Sequence, residues 1–231
     1  MEQRKIPPLS KRLSAAAEYI REGSAVADIG TDHAYLPIYL ALSGKAERVI
    51  ASDVVDGPLA IAAENIALYP GAAEKIILTK ADGLCGIEKY KPDDILICGM
   101  GGELIVQILS RSGYVKNGAV NLVLQPMTKA EALRVYLYSS GFAVTGEKIV
   151  YEDGKLYQII SAHYDGVSRR IGECEALLGE FNIAERGENF VRLVDKTVSG
   201  FEKKIKGLQK AGKNSGEFER LVSELDTYRE Q

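Results

Sequence analysis

The densest run of reactive residue types in the chain is Asp28-Ile29-Gly30-Thr31-Asp32-His33. A short apolar run, Ala25-Val26-Ala27, ends in an acid and a glycine, and a second acid and a histidine follow at once. Such a run reads as a buried strand that delivers a turn to the edge of a nucleotide-sized site. Gly30 lets the backbone turn sharply and lets a ligand approach it closely. The dinucleotide fingerprint G-x-G-x-x-G is missing, and Asp32 stands where its second glycine would cradle a pyrophosphate. A carboxylate there repels phosphate and attracts a cation. S-adenosylmethionine carries a sulfonium and an α-ammonium and no phosphate, so the turn favours a methyl donor over NAD.

Three further strand ends carry residues of the same kind. Asp53 closes the second apolar run 25 residues after Asp28, a spacing at which an acid accepts hydrogen bonds from ribose hydroxyls. Asp82-Gly83 follows the third run, an acid for an exocyclic amine beside a glycine that lets a base lie close. Gly99-Met100-Gly101-Gly102 follows the fourth, where Met100 either touches the ligand or fills the core. Each acid alone could be a turn residue. Together the four ends fit one adenosine-like ligand.

The elements that must position these ends alternate along the chain. Strand-like Val26–Ile29, Val49–Ser52, Ile76–Thr79, Ile95–Cys98 and Val120–Leu124 interleave with helix-like Tyr35–Leu42, Pro58–Leu68, Glu103–Ser110 and Lys129–Ser139. Ser10 is placed to cap an earlier helix. Repeated strand–helix units predict a parallel sheet covered on both faces. Phe142–Tyr151 and Leu156–His163 then follow each other across Glu152-Asp153-Gly154-Lys155, a hairpin signal. The expected class is α/β, a Rossmann-like class I methyltransferase sheet ending in an antiparallel hairpin. Beyond residue 165, Phe190, Val194, Val198, Phe201, Ile205 and Leu208 form a heptad-like stripe, and Phe218, Leu221, Val222 and Leu225 mark a second helix. This predicts a methyltransferase domain over 1–165 and a small coiled-coil-like helical hairpin domain over 166–231, packed within one chain.

The 231 residues are 46% hydrophobic and 26% charged, ordinary for a globular protein. No apolar stretch approaches a membrane span, the first residues lack a secretory core, and three scattered cysteines make neither a disulfide framework nor a zinc spacing. A cytoplasmic monomer without a metal is expected. The net charge of −3 argues against nucleic-acid binding by the whole surface but allows basic clusters, one at Arg4, Lys5, Lys11 and Arg12 and one from Lys196 to Lys213 that includes Lys203 and Lys204. Each cluster can also be read as a solvated helix face.

Taken in order, Ser10-Lys11-Arg12-Leu13, Asp28 to Pro37, Asp56-Gly57-Pro58, Gly83-Leu84, Gly99-Met100-Gly101-Gly102, Leu124-Gln125-Pro126 and Glu152-Asp153-Gly154-Lys155 resemble the bacterial tRNA (adenine-22-N1)-methyltransferase family. The resemblance is clear over about the first 165 residues. It implies S-adenosylmethionine as donor, N1 of an unpaired or flipped adenine in the tRNA D-arm region as acceptor, and a helical C-terminal domain that helps hold the tRNA. By motif position, Asp28, Gly30 and Asp32 would line the methionine end of the cofactor, Asp53 the ribose, and Asp82 and Gly83 the adenine, with Gly99, Met100 and Gly101 beside them. Arg4, Lys5, Lys11, Arg12, Lys203 and Lys204 become candidate phosphate contacts. The family pattern has an Asn where this chain has Met127.

Adenine N1 carries an in-plane lone pair, so methylation asks for alignment more than for a base. The product ring is cationic, and a nearby carboxylate would stabilise it. Asp32 is the candidate, with a cap on the helix near Tyr35 as its alternative role. His33 is read as orienting the substrate, or as a loop histidine bonded to backbone. Three rival readings stay open: a methyltransferase for another acceptor, a nicotinamide-dependent dehydrogenase, and a non-catalytic cofactor-binding module.

Overall fold

The computed structural model describes residues 6–229. Seven strands form one sheet in the order β3-β2-β1-β4-β5-β7-β6. Strands β1 (Ser24–Ile29), β2 (Ala46–Asp53), β3 (Ile76–Lys80), β4 (Asp94–Gly101) and β5 (Asn121–Thr128) are parallel. Strand β7 (Lys155–Tyr164) runs antiparallel to both β5 and β6 (Phe142–Glu152). The hairpin turn places Asp153 and Gly154 at φ 49° and 74°, the left-handed pair that a two-residue hairpin loop demands.

The central strands are apolar on both faces because both are covered. On one side Val26 and Val49 meet Ala15–Ala17 of α1 (Lys11–Glu18), Leu36 and Ile38 of α2 (Tyr35–Leu42), and Ala62 and Ile66 of α3 (Asp56–Ala67). On the other, Ala27, Ile29 and Ile97 meet Ile105 and Leu109 of α5 (Gly102–Ser110) and Leu133 and Leu137 of α6 (Ala130–Ser139). A four-residue helix α4 (Pro70–Ala73) precedes β3. Ser10 caps α1 as expected, accepting from Leu13 N–H at 3.4 Å. Strand order reverses between β1 and β4, so their carboxyl ends frame a crevice.

After β7 the chain is helical: α7 (Glu173–Leu178), α8 (Glu180–Glu185), α9 (Phe190–Lys210) and α10 (Gly216–Asp226). Phe190, Val194 and Val198 of the expected stripe are buried with Leu221 and Leu225 of α10, while Ile205 and Leu208 are only half-buried. The helices α7 and α8 have six residues each, too few for apolar periodicity to show in the sequence. They are fastened by a buried network. Arg134 Nε lies 2.6 Å from Glu147 Oε1, and its NH1 and NH2 donate to Ala176 O at 2.9 Å and Gln158 Oε1 at 2.7 Å. Glu147 Oε2 accepts from Phe181 N–H at 3.1 Å. Among the described residues no helix is long and apolar enough to cross a membrane.

Candidate active site

A cavity of about 440 Å³ opens at the carboxyl ends of β1, β2 and β4. Its walls include Asp28, Gly30, Thr31, Asp32, His33, Asp53, Gly99 and Met100, so one site gathers three of the four expected strand ends. Gly30 sits at φ 80°, and a Cβ there would collide with Met100 Cε. The glycine therefore serves both the turn and the close approach of Met100. Gly30 and Thr31 N–H both donate to Ser52 O, at 2.8 and 2.9 Å, which locks the β1 turn onto β2.

Asp28 is buried, and no cation pairs with its carboxylate among the described residues. Burial pushes its pKa up to about 6, the Thr31 hydroxyl opposes the shift and the Asp53 charge adds to it. Thr31 Oγ1 is itself buried and makes no well-formed hydrogen bond to any described residue. Asp53 holds the loop after β2 through Val55 N–H, 2.9 Å from its Oδ1.

Asp32 is exposed and takes φ 36°, a left-handed conformation rare outside glycine. The helix-cap role read for it does not hold, since the N-cap of α2 is Ala34, at φ 58° and without a side-chain bond. Its carboxylate instead lies 3.5 Å from His33 Nε2. The His33 backbone carbonyl accepts from Asn65 Nδ2 at 3.0 Å, and its ring lies 5.7 Å from that of Tyr35.

Asp82 lies apart from these residues. It lines a second depression with Ile108 and Arg111, whose NH1 is 3.9 Å away. Gly83 sits at φ 58°, and a Cβ there would lie 3.1 Å from the Ile108 side chain. Gly101 is the N-cap of α5, and the next residue, Gly102, abuts the Lys129 backbone so closely that any side chain would clash. Cys98 is half-buried, and desolvation drives its thiol pKa far upward, the opposite of a nucleophile.

The basic residues divide. Arg4 and Lys5 lie outside the described residues. Lys11 is exposed, and its backbone N–H donates to Glu152 Oε1 at 2.6 Å. Two of the sequence motifs thereby meet in space. Arg12 lines the cavity. Its NH1 donates to Gln125 Oε1 at 2.8 Å, its guanidinium lies 5.6 Å from the Tyr157 ring centroid, and Gln125 Oε1 also accepts from Gly99 N–H at 3.2 Å. Gln125 is fully buried and couples Arg12 to the glycine loop. No local pattern signals this pairing, because the two partners are 113 residues apart. Lys203 is exposed on α9, and the Lys204 ammonium lies 5.1 Å from the Phe218 ring.

The set fits a cationic nucleoside without phosphate. It offers a buried carboxylate with no cation partner among the described residues, a second carboxylate at the turn, an acid at the end of β2 and a glycine floor. A dinucleotide would bring a pyrophosphate against Asp32.

Residues 9–160 match the family described as a methyltransferase domain. The chain is 40% identical over 191 residues to the tRNA (adenine(22)-N(1))-methyltransferase of Bacillus subtilis, covering 80% of this chain and 79% of that one. The crystal structure of the B. subtilis m1A22 tRNA methyltransferase TrmK superposes with a TM-score of 0.80 at 34% identity, over 98% of this chain and 97% of the other. M. capricolum TrmK, solved with the cofactor product S-adenosyl-homocysteine, superposes at 0.81 with 27% identity, over 96% and 98%. With this fold, this site and these relatives, the chain belongs to the bacterial tRNA (adenine-22-N1)-methyltransferase family.

Proposed function

We propose that this enzyme uses S-adenosylmethionine to methylate N1 of adenine 22 in the D-arm region of tRNA, with that adenine unpaired or flipped out. The observation that carries the reading is the cavity at the β1 turn, where Asp28 is buried with no cation partner among the described residues and Asp32 stands beside it. Bound S-adenosylmethionine supplies a sulfonium-activated methyl group, which the N1 lone pair of adenine can take without a general base.

The residues then divide the remaining work. Asp28 and Asp32 supply negative charge for the positive groups of the cofactor, and Asp53 accepts from the ribose hydroxyls. Gly30 and Met100 shape the floor on which the cofactor lies. Asp82 and Gly83 mark the adenine end, at the second depression. Asp32, exposed at the turn, also faces the ring that becomes cationic, and His33 at 3.5 Å orients it. Arg12, held by Gln125, stands between the cofactor residues and the hairpin and is placed to touch the incoming base or its phosphate. N1 lies on the pairing edge, so the base must leave any pair before it enters. Lys11, Lys203 and Lys204 add exposed positive charge for the backbone. The enzyme acts as a monomer in the cytoplasm.

Labelled methyl transfer to two unmodified transcripts, one with adenine and one with guanine at position 22, tests the reading. Transfer to the adenine transcript alone is expected, and equal transfer to both would refute the site. Asp32→Asn should lower turnover at saturating cofactor, and unchanged turnover would remove Asp32 from the chemistry.

A further inference from the structure

A cleft of about 360 Å³ between the end of β5 and α9 lies apart from the cofactor cavity. Leu156 and Leu193 contribute apolar wall, with Met127 and Phe201 beside them. Three lysines, Lys129, Lys196 and Lys204, line it against one acid, Glu131, whose Oε1 is 3.7 Å from Lys129 Nζ. In a chain of net charge −3 this is a local excess of positive charge. Lys196 is exposed and makes no ion pair among the described residues. The Lys204 ammonium is poised over two aromatic rings, 5.6 Å from Phe201 and 5.1 Å from Phe218.

Apolar and aromatic wall beside uncompensated ammonium groups is the chemistry of a nucleotide site, a face for the base and a cation for the phosphate. The strand β5 ties this cleft to the first cavity. Gln125 holds Arg12 and Gly99 there, and Met127, two residues on, lines the cleft. Two strand residues span about 7 Å, a distance that the sugar–phosphate link covers between neighbouring nucleotides whose bases have unstacked. A base drawn out of its stack leaves its neighbour with an uncovered face.

We propose that this cleft holds the nucleotide next to the target adenine, its base against Met127 and Phe201 and the phosphate that joins it to the target on Lys196. The proposal rests on the tRNA reading and adds a flanking-nucleotide site to it.

The test uses the full-length enzyme and tRNA ligated from synthetic halves, with the phosphate on either side of the target replaced in turn by a neutral methylphosphonate. For Lys196→Gln, the KM for tRNA should rise about tenfold with cofactor affinity unchanged, and the slope of log KM against log salt should shrink by about one. At one of the two linkages the methylphosphonate should raise the wild-type KM about tenfold and change that of Lys196→Gln little, because the two changes remove the same contact. Wild-type KM and salt slope in Lys196→Gln, or losses that multiply at both linkages, would overturn the cleft while leaving the tRNA reading intact. Wild-type behaviour towards RNA, with poly-glutamate bound through Lys196, would overturn it in favour of an acidic protein partner. Absence of transfer by the wild-type enzyme to any transcript would overturn the tRNA reading and this proposal together.

Discussion

Glu147 and Asp28 are buried to nearly the same extent, 3% and 5% exposed, under opposite conditions. Glu147 meets the Arg134 guanidinium at 2.6 Å and the Phe181 N–H at 3.1 Å. Its charge is consumed in a closed network that fastens α7 and α8 to α6 and the hairpin. Asp28 faces a cavity, has no cation partner among the described residues, and carries a pKa pushed up to about 6 by burial. Burial alone does not separate a structural acid from a functional one. The partner does: a buried acid that the described residues leave without a cation is a candidate to meet a ligand's charge.

Breaking the closed network should have the largest effect. Arg134→Met leaves Glu147 buried without its cation and should cost about 3–5 kcal/mol, read as a lower urea midpoint. Arg134→Met with Glu147→Leu should recover most of that loss. A cost below about 1 kcal/mol for the single variant would mean that Glu147 does not depend on Arg134, and the contrast with Asp28 would fail.

The effect at Asp28 has the opposite sign. Its folded pKa lies above the ordinary aspartate value of 3.8, so between about pH 4 and 6 the native state binds more protons than the unfolded chain. Stability from this group is therefore present at low pH and lost as pH rises through about 6, a cost of about 3 kcal/mol at neutral pH. On the proposed function the positive groups of the cofactor favour the carboxylate, so cofactor affinity should weaken as pH falls below about 6. Calorimetric titration from pH 5 to 8 checks this, and a flat profile would detach Asp28 from binding.

The smallest effect concerns the thiols. Cys85 is exposed, whereas desolvation and the Asp28 charge raise the Cys98 pKa. One equivalent of a thiol reagent at pH 7.5 should label Cys85 and leave Cys98 intact, as peptide mass spectrometry would show. Preferential labelling of Cys98 would mean that the cavity wall opens far more than the fold describes.

Most of the sheet and the residues at its strand ends were legible in the sequence, because short apolar runs, helical spacing and the turn glycines are local signals. What escaped is what depends on distant partners. Arg12 reads as part of a basic cluster, and only the fold brings it to Gln125 on β5. Nothing in the expected helix Lys129–Ser139 singles out Arg134, yet it lies 1% exposed because Glu147, Gln158 and the α7 carbonyls surround it. Asp32 resembled a helix cap because an acid stands just before the apolar run. The left-handed Ala34 takes the cap position and leaves the carboxylate at the cavity.

The most direct test of the central claim measures Asp28→Asn beside the wild-type protein, by denaturant unfolding at pH 4.5 and 7.5 and by S-adenosylmethionine titration at pH 7.5. The account predicts a variant more stable by up to about 3 kcal/mol at pH 7.5, markedly less so at pH 4.5, and weaker in cofactor affinity by at least tenfold. Wild-type affinity, or a variant less stable than the wild type at pH 7.5, would contradict it.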